Sequence, residues 1–449
     1  MTLPPMTAAE RAEWIRSRLP AGGLFAGHEW RIAPDPFRVG PALAGELETL
    51  GRVLLQFYRA LNLLYRHSLD GKQPEWVAHW LDQGKPPELL AIQRAAAFKN
   101  EVPRVIRPDL LLTEDGVKVT ELDSVPGGIG LTAWLNQTYG GLPGNETILG
   151  GTDGMLRGFA SIFNAAAQVH IVISEEASTY RPEMEWLAAQ LGADRFAVRD
   201  VRFTNFLAGS AIYRFFELFD LPQVANSAPI FTLAAEKRIQ LTPPPKAIFE
   251  EKLAFALLWN RNLREFWRRE LGEGFLIRLL KLVPYTWVVD PAPLPPHGAI
   301  PELNITDWRQ LKTLSQRERD LVLKISGFSP EAWGARGVYI GSDLSSAEWS
   351  VAVDRALTGF STSPFVLQRF LRTVLTPVAY HDFSAGTQRT MPGRARLCPY
   401  YFVSGDGPAA RANLGGVLAT ICPADKKIIH GMRDAVILPC AVSNNATAA

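Results

Sequence analysis

One stretch constrains this chain more than any other: RPDLLLTEDGVKVTELDSVPGGIG, residues 107–130. Two short apolar runs flank Glu114-Asp115-Gly116, a tight-turn signal, so the flanking residues are predicted to pair as an antiparallel hairpin. Side chains alternate between the faces of a strand, which puts Arg107 and Asp109 together on one strand and Glu121 and Asp123 together on the other. Pairing then brings three carboxylates and a guanidinium to one place. Like charges at that density require a cation, and hard oxygen donors of this kind suit Mg²⁺. The glycines of Ser124-Val-Pro-Gly-Gly-Ile-Gly130 would let backbone amides approach an anion beside it. A solvated hairpin with its acids turned to water is the plainer reading of the same pattern.

The rest of the chain sets the frame for that hairpin. At 449 residues it exceeds one compact core and is expected to form two or three packed units. Hydrophobic residues make up 47% and charged residues 20%, which excludes general disorder. With 47 Lys+Arg against 45 Asp+Glu, the net charge of +2 gives no global field to hold a nucleic acid or an anionic membrane. Any phosphate recognition must therefore be local. The first thirty residues lack a secretory apolar stretch, and no apolar run approaches the ~20 residues of a membrane span, so a cytoplasmic location is expected. Cys398, Cys422 and Cys440 show no CxxC pairing, which predicts reduced, buried thiols rather than disulfides or zinc. No fixed-period repeat is present, which removes solenoids and propellers.

Five consecutive regions are predicted. Residues 1–100 read as helical, opening at Thr7 with Glu10 in a capping box and continuing through Glu46 to His67 and Pro87 to Asn100. Residues 101–165 hold the hairpin. Residues 166–245 read as a small doubly wound unit: strand Val169 to Ile173, helix Tyr180 to Leu191 stopped by Gly192, then strand Phe196 to Val201. The prolines Pro243 to Pro245 mark a boundary. Residues 246–375 begin with a helical segment from Lys246 to Trp267, include a proline-rich exposed loop from Pro291 to Pro301, and continue with strand Leu321 to Ile325. Residues 376–449 supply further strands.

Within 246–375, Lys324 closes an apolar β-run. A buried lysine is costly unless an anion neutralises it, and the glycine-rich turn after it, through Gly334, Arg336 and Gly337 to strand Val338 to Gly341, could fold its amides over phosphates. An edge-strand lysine before an ordinary loop is the alternative. The strand Phe365-Val-Leu-Gln368-Arg-Phe370 could offer backbone groups to an adenine edge. Lys252 opens an apolar helical run, where a surface lysine is the ordinary reading. Arg394 or Arg396 could face phosphates or an acidic substrate, with a surface salt bridge as the alternative. His430, without a visible partner, reads as structural.

These pieces together resemble the ATP-grasp superfamily in its circularly permuted form, including the ATP-grasp half of glutathionylspermidine synthases. The resemblance spans roughly residues 100–440. It implies an α/β fold with a two-lobed ATP-grasp nucleotide site, and ATP and Mg²⁺ as cofactors. Lys252 and Lys324 match the lysines on the phosphates, Gly334 to Gly337 the closing glycine-rich loop, and Gln368 to Phe370 the adenine hinge. Asp109, Glu121 and Asp123 fall at the magnesium ligands, and Arg107 at an arginine on the transferring phosphate. The magnesium motif precedes both lysines here, the permuted order. The chain departs from the family in carrying Asp123 where Asn is usual and in a bulky loop with Phe328, Trp333 and Arg336. The implied activity is ATP-dependent ligation of a carboxylate to an amine or other nucleophile through an acyl phosphate. A small-molecule kinase on the same fold and a non-catalytic nucleotide binder are the alternatives.

Overall fold

A computed structural model describes residues 6–20, 30–143, 147–163, 166–295, 298–332, 334, 336–429 and 433–443. Trp333 and His430 therefore lie outside the described residues. The chain divides into two compact units, each discontinuous in sequence: one is Met1–Gln56, Glu101–Pro244 and Thr373–Ala449, the other Phe57–Asn100 and Pro245–Arg372. One crossing falls at Pro244/Pro245, inside the proline group read as a boundary. Another divides the long helix Pro41–Leu69.

The first unit holds strands β1 (Phe37–Val39), β2 (Val105–Thr113), β3 (Gly116–Asp123), β4 (Thr147–Ile148), β5 (Val169–Ile173), β6 (Phe196–Arg199), β7 (Ala211–Phe215) and β8 (Gln240–Thr242). The second holds β9 (Thr286–Val288), β10 (Leu321–Ile325), β11 (Val338–Ile340) and β12 (Phe365–Arg369). The first unit resumes with β13 (Leu375–Asp382), β14 (Thr387–Ser404), β15 (Arg411–Pro423) and β16 (Val436–Val442).

In the first unit the described residues form one large sheet in the order β1-β16-β15-β14-β2-β3, with β13 on β14 and β4 on β16. The predicted hairpin is its β2-β3 edge, and Gly116 takes the positive φ of 93° that ends its turn. Its second sheet, β6-β5-β7-β8, is parallel throughout. Its strands all fall between residues 169 and 242. Every residue of β5 and β7 is buried, as parallel strands covered on both faces require.

The second unit is built on the antiparallel sheet β11-β10-β12-β9. Leu321, Leu323, Phe365 and Leu367 pack against Trp349, Val353 and Ala356 of helix Ser346–Thr358. Ser345 and Glu348 start that helix with a capping box. Full burial of each such side chain contributes about 1.5–3 kcal/mol, which fixes the face that β10 and β12 turn inward. The opposite face carries Lys324 and Gln368 beside the buried Val322 and Val366.

Some elements differ from expectation. The segment read as one helix from Lys246 to Trp267 is broken into Ala247–Phe249, Leu253–Trp259, Arg261–Leu263 and Arg264–Leu282. Asn260 is extended, and its side chain accepts from the Asn262 N–H, so it starts a new turn instead of continuing the old one. The helix from Pro87 stops at Arg94 because Ala95 is extended, with ψ 142°. The N-terminal hundred residues also contribute β1, which pairs in parallel with β16. The capping box of Thr7 and Glu10 is present as expected. All three cysteines are free and buried. Among the described residues no helix is long and apolar enough to cross a membrane.

Candidate functional site

In the first unit the β2-β3 register sets Arg107 opposite Asp123 and Asp109 opposite Glu121. The hairpin thus gathers the four residues that the alternation argument put together. Arg107 spans two of the carboxylates, with Nε 3.0 Å from Asp109 Oδ1 and Nη2 3.1 Å from Asp123 Oδ2. A second guanidinium enters from β14, where Arg396 Nη1 donates to Asp109 Oδ2 at 3.0 Å. The Cys398 thiol donates to Asp109 Oδ1 at 3.4 Å. Arg396 is therefore an interior partner of the acids and not a surface salt bridge. Arg394 turns elsewhere, to the carbonyls of Ala424 and Thr373.

Burial pushes Asp123 up to about 6, against the pull of Arg107, while the neighbouring charges of Glu121 and Asp109 push the same way as burial. Burial also lifts the Cys398 thiol, to about 12, so it stays protonated and can only donate. Three buried atoms in or beside this cluster have no hydrogen-bond partner: Ser124 Oγ, Arg396 Nε and Arg107 Nε, whose 3.0 Å approach to Asp109 Oδ1 is an ion pair without hydrogen-bond alignment. An unpaired donor on a buried guanidinium is costly unless an anion reaches it.

The loop after Asp123 turns back onto the cluster. Gly127 O accepts from Tyr400 Oη at 2.6 Å and from Arg107 Nη1 at 3.4 Å. The amides that follow were expected to face an anion, and they do, although the anion is internal. Glu183 Oε1 accepts from the Gly128 N–H at 2.7 Å, and Oε2 from the Leu131 N–H at 3.0 Å, at the start of helix Ile129–Gly140. Glu183 is fully buried, and burial pushes it up to about 7 despite these backbone donors.

In the second unit Lys324 Nζ donates to Gln368 Oε1 at 2.9 Å, and Gln368 Nε2 donates to Thr286 Oγ1 at 3.1 Å. Lys324 lies opposite Val366 in the β10-β12 register and Gln368 opposite Thr286 in the β12-β9 register, so the row crosses three strands. The buried lysine is thus matched by an amide within its own sheet. The Gln368 side chain is committed to that row, and the Phe370 N–H is held by Asp320 O at 3.1 Å.

Lys252 precedes the first residue of helix Leu253–Trp259, and its Nζ reaches Ala332 O at 3.2 Å, in the glycine-rich segment. Gly334 takes a positive φ of 64°, Arg336 is exposed, and Gly337 is buried with its carbonyl on the Ile325 N–H. The base of this segment is anchored by residues the motifs did not single out. Lys85 and Glu251, both side chains fully buried, pair at 2.6 Å, and the Ser326 hydroxyl donates to the other Glu251 oxygen.

Asp109, Glu121 and Asp123 offer the hard oxygens that Mg²⁺ prefers, on adjacent registered strands. Their chemistry fits the ion. As they stand, however, Arg107 and Arg396 supply the positive charge, and among the described residues no group of three or more His, Cys, Asp or Glu is gathered as a metal site.

What the sequence reading missed follows from distance along the chain. Arg396 and Cys398 reach Asp109 across more than 280 positions, and Glu183 reaches Gly128 across 55. Arg394 and Arg396 were both candidates for an anion, and the sequence did not say which of them would meet the acids.

No family model matches the chain, and no curated protein matches its sequence. Solved structures do. A glutathione synthetase-like effector from Globodera pallida, in apo form, superposes with a TM-score of 0.54 at 12% identity, covering 96% of this chain and 95% of the other. A protein from Methylobacillus flagellatus, named only provisionally as a gamma-glutamylcysteine synthetase, matches at a TM-score of 0.38 and 11% identity, covering 84% and 86%. The second likeness is too loose to argue from. The first shows a shared mixed α/β fold over nearly the full length of both chains.

Proposed function

We propose that this chain is an ATP-dependent ligase that joins a carboxylate to an amine or a related nucleophile, on a circularly permuted ATP-grasp scaffold related to that of glutathionylspermidine synthases. The observation that carries the reading is the paired register of Arg107, Asp109, Glu121 and Asp123, joined by Arg396 with an unsatisfied buried Nε. The fold shared with a glutathione synthetase-like protein supports it.

In this reading a carboxylate oxygen of the substrate attacks the γ-phosphorus of ATP, the bond to the β-phosphate oxygen breaks, and ADP leaves. The amine nitrogen then attacks the acyl carbon, inorganic phosphate departs with the bonding electrons of its C–O bond, and the proton lost by the amine passes to that phosphate. Arg107 and Arg396 meet the charge on the transferring phosphoryl group. Lys252 and Lys324 hold the triphosphate, and the segment through Gly334, Arg336 and Gly337 covers it, excluding water from the acyl phosphate. The apolar strand and backbone around Gln368 and Phe370 take the adenine. Asp109, Glu121 and Asp123 would hold Mg²⁺, which when bound offsets phosphate charge.

The test is a screen of carboxylate and amine pairs for ADP release, followed by mass analysis of the product. ADP that forms only when both substrates are present supports the ligase. A stable phosphorylated product would identify a kinase instead, and tight ATP binding without ADP under any mixture would identify a non-catalytic binder. Within an active enzyme, Glu121→Gln is expected to abolish magnesium-dependent turnover with the fold intact, and unaltered turnover removes the metal assignment.

A further inference from the structure

We propose that Glu183 is a positioning residue for Arg107, acting through the loop 126–131. The carboxylate closes two otherwise unsatisfied amides at the start of helix Ile129–Gly140. A Cβ on Gly130 would lie 2.2 Å from the Glu183 carbonyl oxygen, and one on Gly127 would lie 2.2 Å from the Tyr180 ring, so the loop is pressed onto the Glu183 backbone and the Tyr180 side chain. Its remaining carbonyl, Gly127 O, faces the other way, onto Tyr400 Oη and Arg107 Nη1.

Glu183 and Arg107 therefore hold opposite sides of one short loop. Arg107 has three tethers, Asp109, Asp123 and Gly127 O, and only the last is uncharged. The two carboxylates pull the guanidinium along the hairpin, while the loop carbonyl holds it from the third side. Moving the loop shifts the carbonyl tether of the guanidinium directly, and it reaches Asp123 as well, because the Val125 N–H donates to Asp123 Oδ1 at 2.8 Å. The coupling stands on geometry alone, and its bearing on catalysis rests on the role proposed above for Arg107.

The experiment follows Arg107 itself. In the full-length protein labelled with ¹⁵N-arginine, the Arg107 Nε–H resonance is assigned by its loss in Arg107→Lys, and its hydrogen exchange with water is measured. Glu183→Gln sets an amide donor against one of the two backbone donors, so exchange at Arg107 is expected to accelerate about tenfold. The Arg394 Nε–H, which is bonded to Ala424 O, serves as reference and stays unchanged. Tyr400→Phe removes the other bond to Gly127 O and should move Arg107 in the same direction by a smaller factor; if Glu183→Gln does not fold, Glu183→Asp, which keeps the charge but shortens the reach to the Gly128 and Leu131 amides, takes its place with the same expected direction. Folded variants whose Arg107 exchange stays within about twofold of the parent would overturn the inference. The readout uses no turnover, so a parent protein that never releases ADP refutes the ligase reading and leaves this coupling standing.

Discussion

Replacing Asp109 by alanine separates two accounts of the acid cluster by sign. If the three carboxylates chiefly await a divalent ion, then in chelator-treated buffer they repel one another, and removing one should leave stability unchanged or raise it. If the guanidiniums are their counter-ions, removing Asp109 strands Arg396 and takes one of the two carboxylates from Arg107. Side-chain exposures of 5% for Asp109, 14% for Arg107 and 16% for Arg396 put the group among buried pairs, where loss of one partner costs about 3–5 kcal/mol. The arginines keep some water and Arg107 keeps Asp123, so the lower end, about 3 kcal/mol, is expected. At about 2–4 °C per kcal/mol for a body of this size, the midpoint of thermal unfolding should fall by about 6–12 °C. The assay is circular dichroism melting in EDTA, with the double variant Asp109→Ala/Arg396→Ala measured beside the single ones. Deleting the stranded guanidinium should recover part of the loss, giving a favourable coupling between the two positions. A midpoint shift smaller than about 2 °C, or a rise, would refute the view that Asp109 is held by arginines.

Other expectations follow from the same geometry. Lys324→Ala should weaken ATP binding at least about tenfold by calorimetry, and an unchanged affinity would remove Lys324 from the nucleotide site. Lys85→Met or Glu251→Gln alone should cost about 3–5 kcal/mol in urea unfolding, while the joint replacement Lys85→Met/Glu251→Leu should restore most of it; equal losses in single and joint variants would contradict a mutually dependent pair. Burial raises Glu183 from 4.5 to about 7, with Arg107 opposing that shift, so the folded state binds the extra proton across that range and stability should decline as pH rises through it. Glu183→Gln should flatten that dependence, and a parent curve that climbs across the window would show the sign to be wrong. Gly130→Ala should destabilise markedly, since its Cβ meets backbone and not a side chain that could rotate away, and a midpoint equal to the parent's would show that the Glu183 backbone can give way.

Much of the local structure was legible because it depends on neighbours in sequence. The turn at Gly116, the alternation of Arg107, Asp109, Glu121 and Asp123, the strands around Lys324 and Gln368, and the capping box at Thr7 each rest on residues within a few positions. The counter-charges were not legible. Density of acids called for a cation, and a hairpin by itself offers no way to tell a metal from an arginine supplied by a strand that comes nearly three hundred residues later. The glycines after Asp123 announced amides ready for an anion, and Glu183, on a helix of another sheet, answered to that description. Lys324 called for a partner, and Gln368, read as an adenine contact, took that place. The helix break at Asn260 was missed because the apolar spacing continues across it, and only the backbone shows that the asparagine caps a new turn.

The interleaving of the two units bears on how the chain is made. Everything in the second unit has been synthesised once Arg372 is added, whereas β14, which lies between β15 and β2 in the first unit's large sheet, does not yet exist. Until those last strands arrive, the hairpin carrying Asp109 has a bare edge, and its carboxylates lack the Arg396 guanidinium. The acids are born before their counter-ion, and a nascent chain must keep that edge from pairing with a stranger until translation is nearly finished.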